Sequence, residues 1–259
     1  MPEMNLDTPR QTSYKPFPGR NIEQMPALIG EGRTPMTMFE LAKRRIEILE
    51  IYNAVQRKPQ NFPDEYRQRV EEVYHNLWDN YFDTGDLWLR QSVKQVENGK
   101  VVLYNPQVHE FLKTKLNPKV KIEKGALVLG DEYASFTGSD VLEFNKAYMG
   151  KHFGKSLSKQ EAKESAFWRF VLGDLSGEYM DAVFSQAQQR FKYDKNMGIY
   201  VADAGDDPAA RLWFVSGYGG GSDAYGNAIL DVGGGRLVGV APEARVAQKA
   251  SAQTLEQRV

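Results

Sequence analysis

The chain contains no cysteine and only three histidines, and these scarcities exclude several kinds of chemistry. Without cysteine there is no disulfide bridge, no thiolate metal site, no iron–sulfur cluster and no cysteine nucleophile. The histidines, His75, His109 and His152, are isolated from one another, and none has a second histidine at metal-ligand spacing. The sequence therefore gives no support to a histidine-based metal site.

Long apolar runs and a large net charge are also missing. No stretch approaches the roughly 18 consecutive apolar residues that a membrane-spanning helix requires. Residues 1–20 lack the apolar core flanked by basic residues that is typical of a secretory signal. The net charge of −1 provides no overall attraction to nucleic acid or to an anionic membrane. These absences predict a soluble, cytoplasmic protein without membrane contact.

What the chain does contain is enough apolar residues, 41% of 259, to bury a large core. The clearest helical pattern lies between Ser158 and Phe191. Ser158 and Glu161 have capping-box spacing, and Gly173-Asp174 interrupts the apolar period, so two helices sharing one buried seam are expected. The apolar residues of this seam are Ala166, Phe167, Phe170, Val171, Tyr179, Met180, Val183, Phe184, Ala187 and Phe191.

A second helix pair is predicted nearer the N-terminus. Thr34 followed by Pro35 indicates a helix start, and apolar residues continue at helical spacing to Val55. A second periodic stretch, from Tyr66 to Tyr81, would pack back on the first helix as its antiparallel partner. Between the two pairs, Asn98-Gly99 is a typical type I′ turn, which predicts a small hairpin formed by residues 92–96 and 101–104.

After Phe191 glycine becomes frequent and short apolar runs replace the helical period. This pattern predicts an antiparallel β-meander. The expected fold class is α+β, with two antiparallel helix pairs, a small central hairpin and a C-terminal meander. The expected divisions are an extended N-terminal arm (1–33), a mainly helical core with the hairpin (34–192), the glycine-rich meander packed on it (193–242) and a tail (243–259).

The N-terminal arm is the first candidate functional element. It contains five prolines and shows no sustained period, so an extended conformation is expected. Its apolar side chains would contact either its own domain or a partner protein. The candidate contact residues are Tyr14, Phe17, Ile22, Met25 and Leu28.

Aspartates in the glycine-rich region are the second candidate. Asp203, Asp206, Asp207 and Asp223 fall on or beside turns, and oxygen ligands of this kind suit Mg²⁺ or Ca²⁺. Their spacing does not match an EF-hand loop, and aspartate is also an ordinary turn residue. Arg236, after three glycines, is a candidate for binding an anionic group. The glycine runs precede strands and so do not match a nucleotide-binding loop.

The remaining charge feature is a group of lysines between residues 113 and 124. Lysine alternates with apolar residues at Lys119-Val120-Lys121-Ile122, which is typical of a half-buried strand with one solvent-exposed face. This interpretation disfavours nucleic-acid binding. The leading hypothesis is a non-enzymatic interaction or assembly protein whose partner is a protein, including a second copy of itself. The alternative is a divalent-metal-dependent hydrolase or anion-binding enzyme with its site on the C-terminal loops.

Overall fold

The computed structural model describes Leu6 and residues 13–91, 98–201 and 207–242. These residues combine α-helices with mainly antiparallel sheets, so the predicted α+β class is confirmed. The α-helices are α1 (Asn21–Gly30), α2 (Met38–Arg57), α3 (Asp64–Asp79), α4 (Pro106–Lys115), α5 (Lys146–His152), α6 (Lys159–Glu164), α7 (Ala166–Leu172) and α8 (Ser176–Phe191). The strands are β1 (Tyr14–Gly19), β2 (Thr34–Pro35), β3 (Phe82–Arg90), β4 (Asn98–Val102), β5 (Ile122–Glu123), β6 (Ala126–Val128), β7 (Val141–Asn145), β8 (Leu157–Ser158), β9 (Lys195–Asn196), β10 (Ile199–Val201), β11 (Ala209–Val215), β12 (Ala224–Gly226) and β13 (Gly235–Val240).

The strands form one large sheet and two small ones. The large sheet has the order β10-β12-β11-β3-β4-β7, and β6 pairs with β11 beside it and with β5. A three-stranded sheet has the order β1-β13-β2, while β8 pairs with β9. Each of these pairings is antiparallel except that of β10 with β12, which is parallel.

The large sheet has a buried apolar cluster on each face, because neighbouring side chains of a strand point to opposite sides. On β11, Trp213 packs with residues of α2, α3, α7 and α8, whereas Leu212 packs with residues of α1 and α4. Burying one large apolar side chain contributes roughly 1.5–3 kcal/mol, so the two clusters together supply the main driving force for this arrangement.

The predicted helices after Ser158 exist, with one further division. Ser158 and Glu161 form the expected capping box at the start of α6. The side chain of Ser165 accepts a hydrogen bond from the Trp168 backbone N–H and begins α7, so three α-helices replace the expected two. Phe167 and most other residues predicted for the seam are buried in the cluster that contains Trp213.

The first helix pair also forms, but α2 begins later than the sequence predicts. Thr34–Pro35 is strand β2, paired with β13, and the helix is capped by Thr37, which forms a capping box with Glu40. The proline is compatible with a strand edge, and a better cap lies two residues beyond it. As expected, α3 packs back on α2, with the rings of Tyr52 and Tyr74 stacked 4.1 Å apart.

Residues 13–33, the described part of the predicted arm apart from Leu6, do not form an extended arm. Strand β1 pairs with β13, and α1 covers one face of the molecule. Ile22, Met25 and Leu28 recur every three residues, and this short helical period outweighs Pro26, which lies inside α1. The five proposed contact residues are buried in the chain's own core, and Met25 and Leu28 have no exposed surface. They are therefore not available as an outward-facing contact surface.

The central hairpin is shifted from its predicted position. It pairs β3 with β4, and Asn98 and Gly99 lie within β4 rather than at the turn. Residues 92–97 lie outside the described residues. Gly99 is required by close packing, because a Cβ there would lie 2.1 Å from the Trp88 ring. Gly99, which resembles a turn signal in the sequence, is thus needed because β4 packs closely against an aromatic side chain of the facing strand.

The C-terminal strands β10, β12 and β11 pair with one another, but β10 and β12 are parallel and the C-terminal strands continue into sheets with N-terminal strands, so they do not form the separate antiparallel meander that was predicted. Strand β11 lies beside β3, and β13 lies between β1 and β2. The large buried surface of β3 explains this, since β11 and β13 both supply apolar partners close to it. The apolar run Ile229–Val232 is not a strand, and Ile229 and Val232 are exposed. The tail, 243–259, lies outside the described residues.

Candidate binding site

A row of aromatic side chains crosses one end of the large sheet. Tyr200, Tyr225 and Phe214 occupy directly opposite positions on β10, β12 and β11. The ring centroids of Tyr200 and Tyr225 are 5.0 Å apart, and those of Tyr225 and Phe214 are 4.7 Å apart, with nearly parallel planes. Tyr81, just before β3, meets Phe214 edge to face at 5.7 Å. These four residues, the aromatic row, are all half-buried.

The strands that carry the row are fixed by their other residues. Trp213 and Val215 flank Phe214 and are buried in the opposite cluster, which sets the direction of the Phe214 ring. Ala224 and Gly226 flank Tyr225, and a Cβ on Gly226 would lie 2.9 Å from the Trp88 side chain. Small residues therefore hold β12 close to the core, while the tyrosine between them faces the other way.

Arg236 lies at the Tyr81 end of the row. Its guanidinium carbon is 4.6 Å from the centre of the Tyr81 ring, and Nη1 donates a hydrogen bond to Oδ1 of Asn80. Within the described part of the chain, no carboxylate lies within ion-pair distance of this guanidinium, and its Nε has no hydrogen-bond acceptor. Arg236 thus has no ionic partner among the described residues, and its Nε is buried, so any partner would meet its terminal nitrogens beside the aromatic surface.

A buried carboxylate supports this end of the row. Asp83 lies directly opposite Phe214 on β3 and is 3% exposed. Its Oδ2 accepts a hydrogen bond of 2.7 Å from the backbone N–H of Arg236. Burial raises the pKa of Asp83 to about 6, although hydrogen bonds from Arg236 and Asn21 and the charge of Arg236 oppose that shift. Asp83 therefore joins β13 to the large sheet at a cost in desolvation.

A second buried carboxylate lies at the other end. Oδ1 of Asp223 accepts a hydrogen bond of 2.5 Å from the Gly198 N–H, and Oδ2 accepts one of 3.3 Å from the Tyr225 hydroxyl. Burial raises the pKa of Asp223, while these two hydrogen bonds lower it. Burial and the neighbouring Asp223 raise the pKa of Tyr225 to about 12, so its hydroxyl stays protonated at neutral pH.

Arg45 organises the backbone next to the row. It has no exposed surface, and it donates hydrogen bonds to the carbonyl oxygens of Leu77 and Asn80, at 2.9 and 3.1 Å. It also donates to the Ser216 carbonyl at 3.1 Å and to the Tyr179 hydroxyl at 2.8 Å. One side chain on α2 therefore fixes the end of α3, just before Tyr81, relative to the end of β11.

The four aspartates predicted to bind a metal are not brought together as a group. Asp203 and Asp206 lie outside the described residues. Asp207 is exposed and lies 3.8 Å from the Lys121 amine, whereas Asp223 is buried against Gly198. Among the residues that the structure describes, no three histidine, aspartate or glutamate side chains are grouped so that they could hold a metal ion.

The lysines between residues 113 and 124 lie largely in local ion pairs. Lys113 pairs with Glu110, Lys115 with Glu132, and Lys121 with Glu123. These ion pairs are at the surface, which agrees with the interpretation of this segment as solvent-exposed.

Sequence reasoning missed the aromatic row, although each member has a local signal. Tyr200, Phe214 and Tyr225 each stand between residues that are small or apolar, in short strands. Alternation places such a residue on one face of its strand. Their alignment depends on the order β10-β12-β11 and on its register, which join segments separated by glycine-rich loops. No local pattern contains that information.

Comparisons with known proteins identify the fold and no more. No protein-family model matches the chain, and no characterised protein matches its sequence. A solved structure described as "Accommodation of massive sequence variation in Nanoarchaeota by the C-type lectin fold" is similar over 90% of this chain and 100% of that chain. The TM-score is 0.56 and the sequence identity is 18%, so the likeness shows a C-type lectin fold. No described helix is long and apolar enough to cross a membrane.

Proposed function

We propose that this chain is a non-enzymatic binding protein that contacts a partner protein through the aromatic row. The observation that carries the proposal is the row itself, four half-buried rings in contact across one end of a sheet, with Arg236 beside the last ring. Aromatic residues and arginine are the types enriched at the centres of protein interfaces.

The rigidity of the row favours binding. Each ring is held by its neighbour, and Tyr225 is also fixed by its hydrogen bond to Asp223. Side chains that are already ordered lose less conformational entropy when a partner covers them, so more of the contact energy contributes to affinity. The carboxylates and arginine beneath the row are engaged with backbone groups, which suits a positioning role better than a reactive one.

The structural neighbour supports the same division between scaffold and surface. It is described as a C-type lectin fold that accommodates massive sequence variation. For this chain we propose that the two apolar clusters are the framework and the aromatic row is the surface on which specificity depends. A second copy of the chain is the first partner to test.

The test is a peptide-display selection on the wild-type protein, followed by affinity measurements on two tyrosine variants. Tyr200→Ser removes the outermost ring of the row. Tyr193→Ser is the matched control, because Tyr193 is 41% exposed and lies outside the row. We expect the selected peptides to lose about tenfold or more in affinity for Tyr200→Ser, a change of about 1.4 kcal/mol, and to bind the control as they bind wild type.

Two results would count against the proposal. One is equal loss of affinity in both variants, and the other is no loss in Tyr200→Ser while near-ultraviolet circular dichroism shows an intact fold. Sedimentation velocity on the same three proteins reports self-association. A dimer that weakens only in Tyr200→Ser would make the second copy the partner, whereas a monomer throughout would assign the surface to a different protein.

A further inference from the structure

Arg236 differs from most arginines near the surface in how its guanidinium is used, because it lies on an aromatic ring without a carboxylate partner among the described residues. Arg33, Arg69 and Arg190 each lie within 4 Å of a carboxylate, as do several other arginines. For Arg236 the described residues supply one amide oxygen, from Asn80, and the face of one ring, from Tyr81. A planar guanidinium can bind a carboxylate through two parallel hydrogen bonds, which a single amide oxygen does not satisfy.

From this geometry we infer that the partner presents a peptide carboxylate to Arg236, with an apolar or aromatic side chain of the same segment lying against the aromatic row. The inference rests on the proposed function and deepens it by naming the chemistry of the partner. Tyr81 contacts the guanidinium on one side and the Phe214 ring on the other, so it links the charge to the ring surface.

The charges at the two ends of the row give the bound segment a direction. Asp223 accepts a hydrogen bond from the hydroxyl of Tyr225, the ring that stacks on Tyr200, and its carboxylate would repel an acidic side chain placed there. Arg236 lies at the opposite end, beyond Tyr81. An acidic residue therefore belongs at the Tyr81 end, and a neutral or apolar residue belongs at the Tyr200 end. Like-charge placement is costly where the groups are partly removed from water.

Asp83 does not replace the missing carboxylate. Its Oδ2 is occupied by the backbone N–H of Arg236, and its other contact is the side-chain amide of Asn21. Its charge and that of Arg236 attract each other, but no oxygen of Asp83 lies within ion-pair distance of the guanidinium. Asp83 holds the arginine backbone in place, whereas the guanidinium faces Tyr81 and Asn80.

The experiment compares two synthetic peptides that differ only in charge. The acidic probe is acetyl-Gly-Trp-Glu-Trp-Gly-amide, and the neutral probe has glutamine in place of glutamate. Both are titrated by isothermal calorimetry into wild type, Arg236→Gln and Arg57→Gln. Arg57 is the matched control because it is exposed at the end of α2, away from the row.

We expect wild type and Arg57→Gln to bind the acidic probe about tenfold more tightly than the neutral one, as a charge-assisted hydrogen bond would give. Arg236→Gln is expected to bind the two probes equally, at the affinity that wild type shows for the neutral probe. Added NaCl should reduce the preference of the wild type, which provides a second measurement on unaltered protein if Arg236→Gln does not fold.

The outcomes separate this inference from the proposed function. Equal binding of the two probes to wild type overturns the role of Arg236 and leaves the aromatic row as a binding surface. A preference that persists in Arg236→Gln or is insensitive to salt also overturns it. Absence of binding by both probes, with a folded protein, overturns the proposed function and this inference with it.

Discussion

Replacing Asp83 with asparagine tests the physical account of the site most directly. Asp83 is almost completely buried, and its carboxylate accepts the backbone N–H of Arg236. Asparagine has the same shape and keeps an oxygen for that hydrogen bond. Its new amide N–H₂ would face Asn21, which donates to Asp83 in the wild type; rotation of the Asn21 amide would turn its Oδ1, which is buried and has no hydrogen-bond partner among the described residues, toward the new donor. The substitution thus removes a titrating charge with little change in packing.

The magnitude follows from the pKa of Asp83, which burial raises from an ordinary value of 3.8 to about 6. The folded protein then binds more protons than the unfolded chain between these pH values, so the stability contributed by the neutral form is present below pH 3.8 and is lost as pH rises through 6. At 1.36 kcal/mol per pH unit, the ionised carboxylate costs about 3 kcal/mol at pH 7.5. Asparagine does not incur that cost.

The assay is urea denaturation of wild type and Asp83→Asn at several pH values from 4 to 7.5. We expect the stability of the variant relative to wild type to increase by about 2 kcal/mol from pH 4 to pH 7.5, because part of the full difference of about 3 kcal/mol is already present at pH 4. Any packing difference that does not depend on pH cancels in this comparison. Asp194→Asn serves as the control for the change from carboxylate to amide, since Asp194 is exposed.

A difference that is constant over this pH range would refute the reasoning, because it would mean that Asp83 does not titrate differently in the folded and unfolded states. A difference of the opposite sign would be equally informative. It would show that the hydrogen bonds and the charge of Arg236 outweigh desolvation, so that the carboxylate stabilises the folded protein.

Three further predictions concern the framework and the metal hypothesis. Arg45→Lys should lower the free energy of unfolding in denaturant by roughly 3–5 kcal/mol, because one ammonium cannot reach four acceptors. Arg57→Lys on the same helix is the control and should leave stability unchanged. Equal stability of the two variants would contradict this role of Arg45. Gly99→Ala should destabilise by about 1–3 kcal/mol or more through its clash with the Trp88 ring, while Gly150→Ala, which meets open space, should not destabilise. Mg²⁺ or Ca²⁺ should leave Tm unchanged, and a stabilisation of about 2.7 kcal/mol at a hundred times Kd would support the metal-dependent alternative.

Local signals predicted the helices well where caps and apolar period agree. Ser158 and Glu161 cap α6 as their spacing indicates, and the residues predicted for the seam of α7 and α8 are largely buried. The N-terminal segment shows the opposite case. Its prolines favoured an extended arm, but β1 pairs with β13, more than 200 residues away along the chain, and that pairing has no local signature.

Strand β3 was not foreseen, because its sequence resembles a turn. It contains Asp83, Thr84, Gly85 and Asp86, which are typical turn residues, yet every residue of the strand is buried. The polar side chains of this strand make hydrogen bonds to parts of the chain that are distant in sequence. Thr84 donates to the Trp213 carbonyl, and Asp86 accepts the N–H groups of Met38 and Tyr104. These contacts form only after the sheet and α2 have assembled, so the local composition gives no indication of them.

The buried polar groups that local sequence patterns did not predict are those that orient the proposed binding surface. An apolar core of the same volume would fold, but it would not specify where Tyr81 and Arg236 lie relative to β11. Asp83 fixes the backbone of Arg236, and Arg45 fixes the carbonyls that precede Tyr81, each at a cost in desolvation. A surface whose affinity depends on ring and charge positions benefits from such directional contacts, since the framework is then set before a partner arrives. Buried charges that lower stability are therefore expected at this end of the sheet.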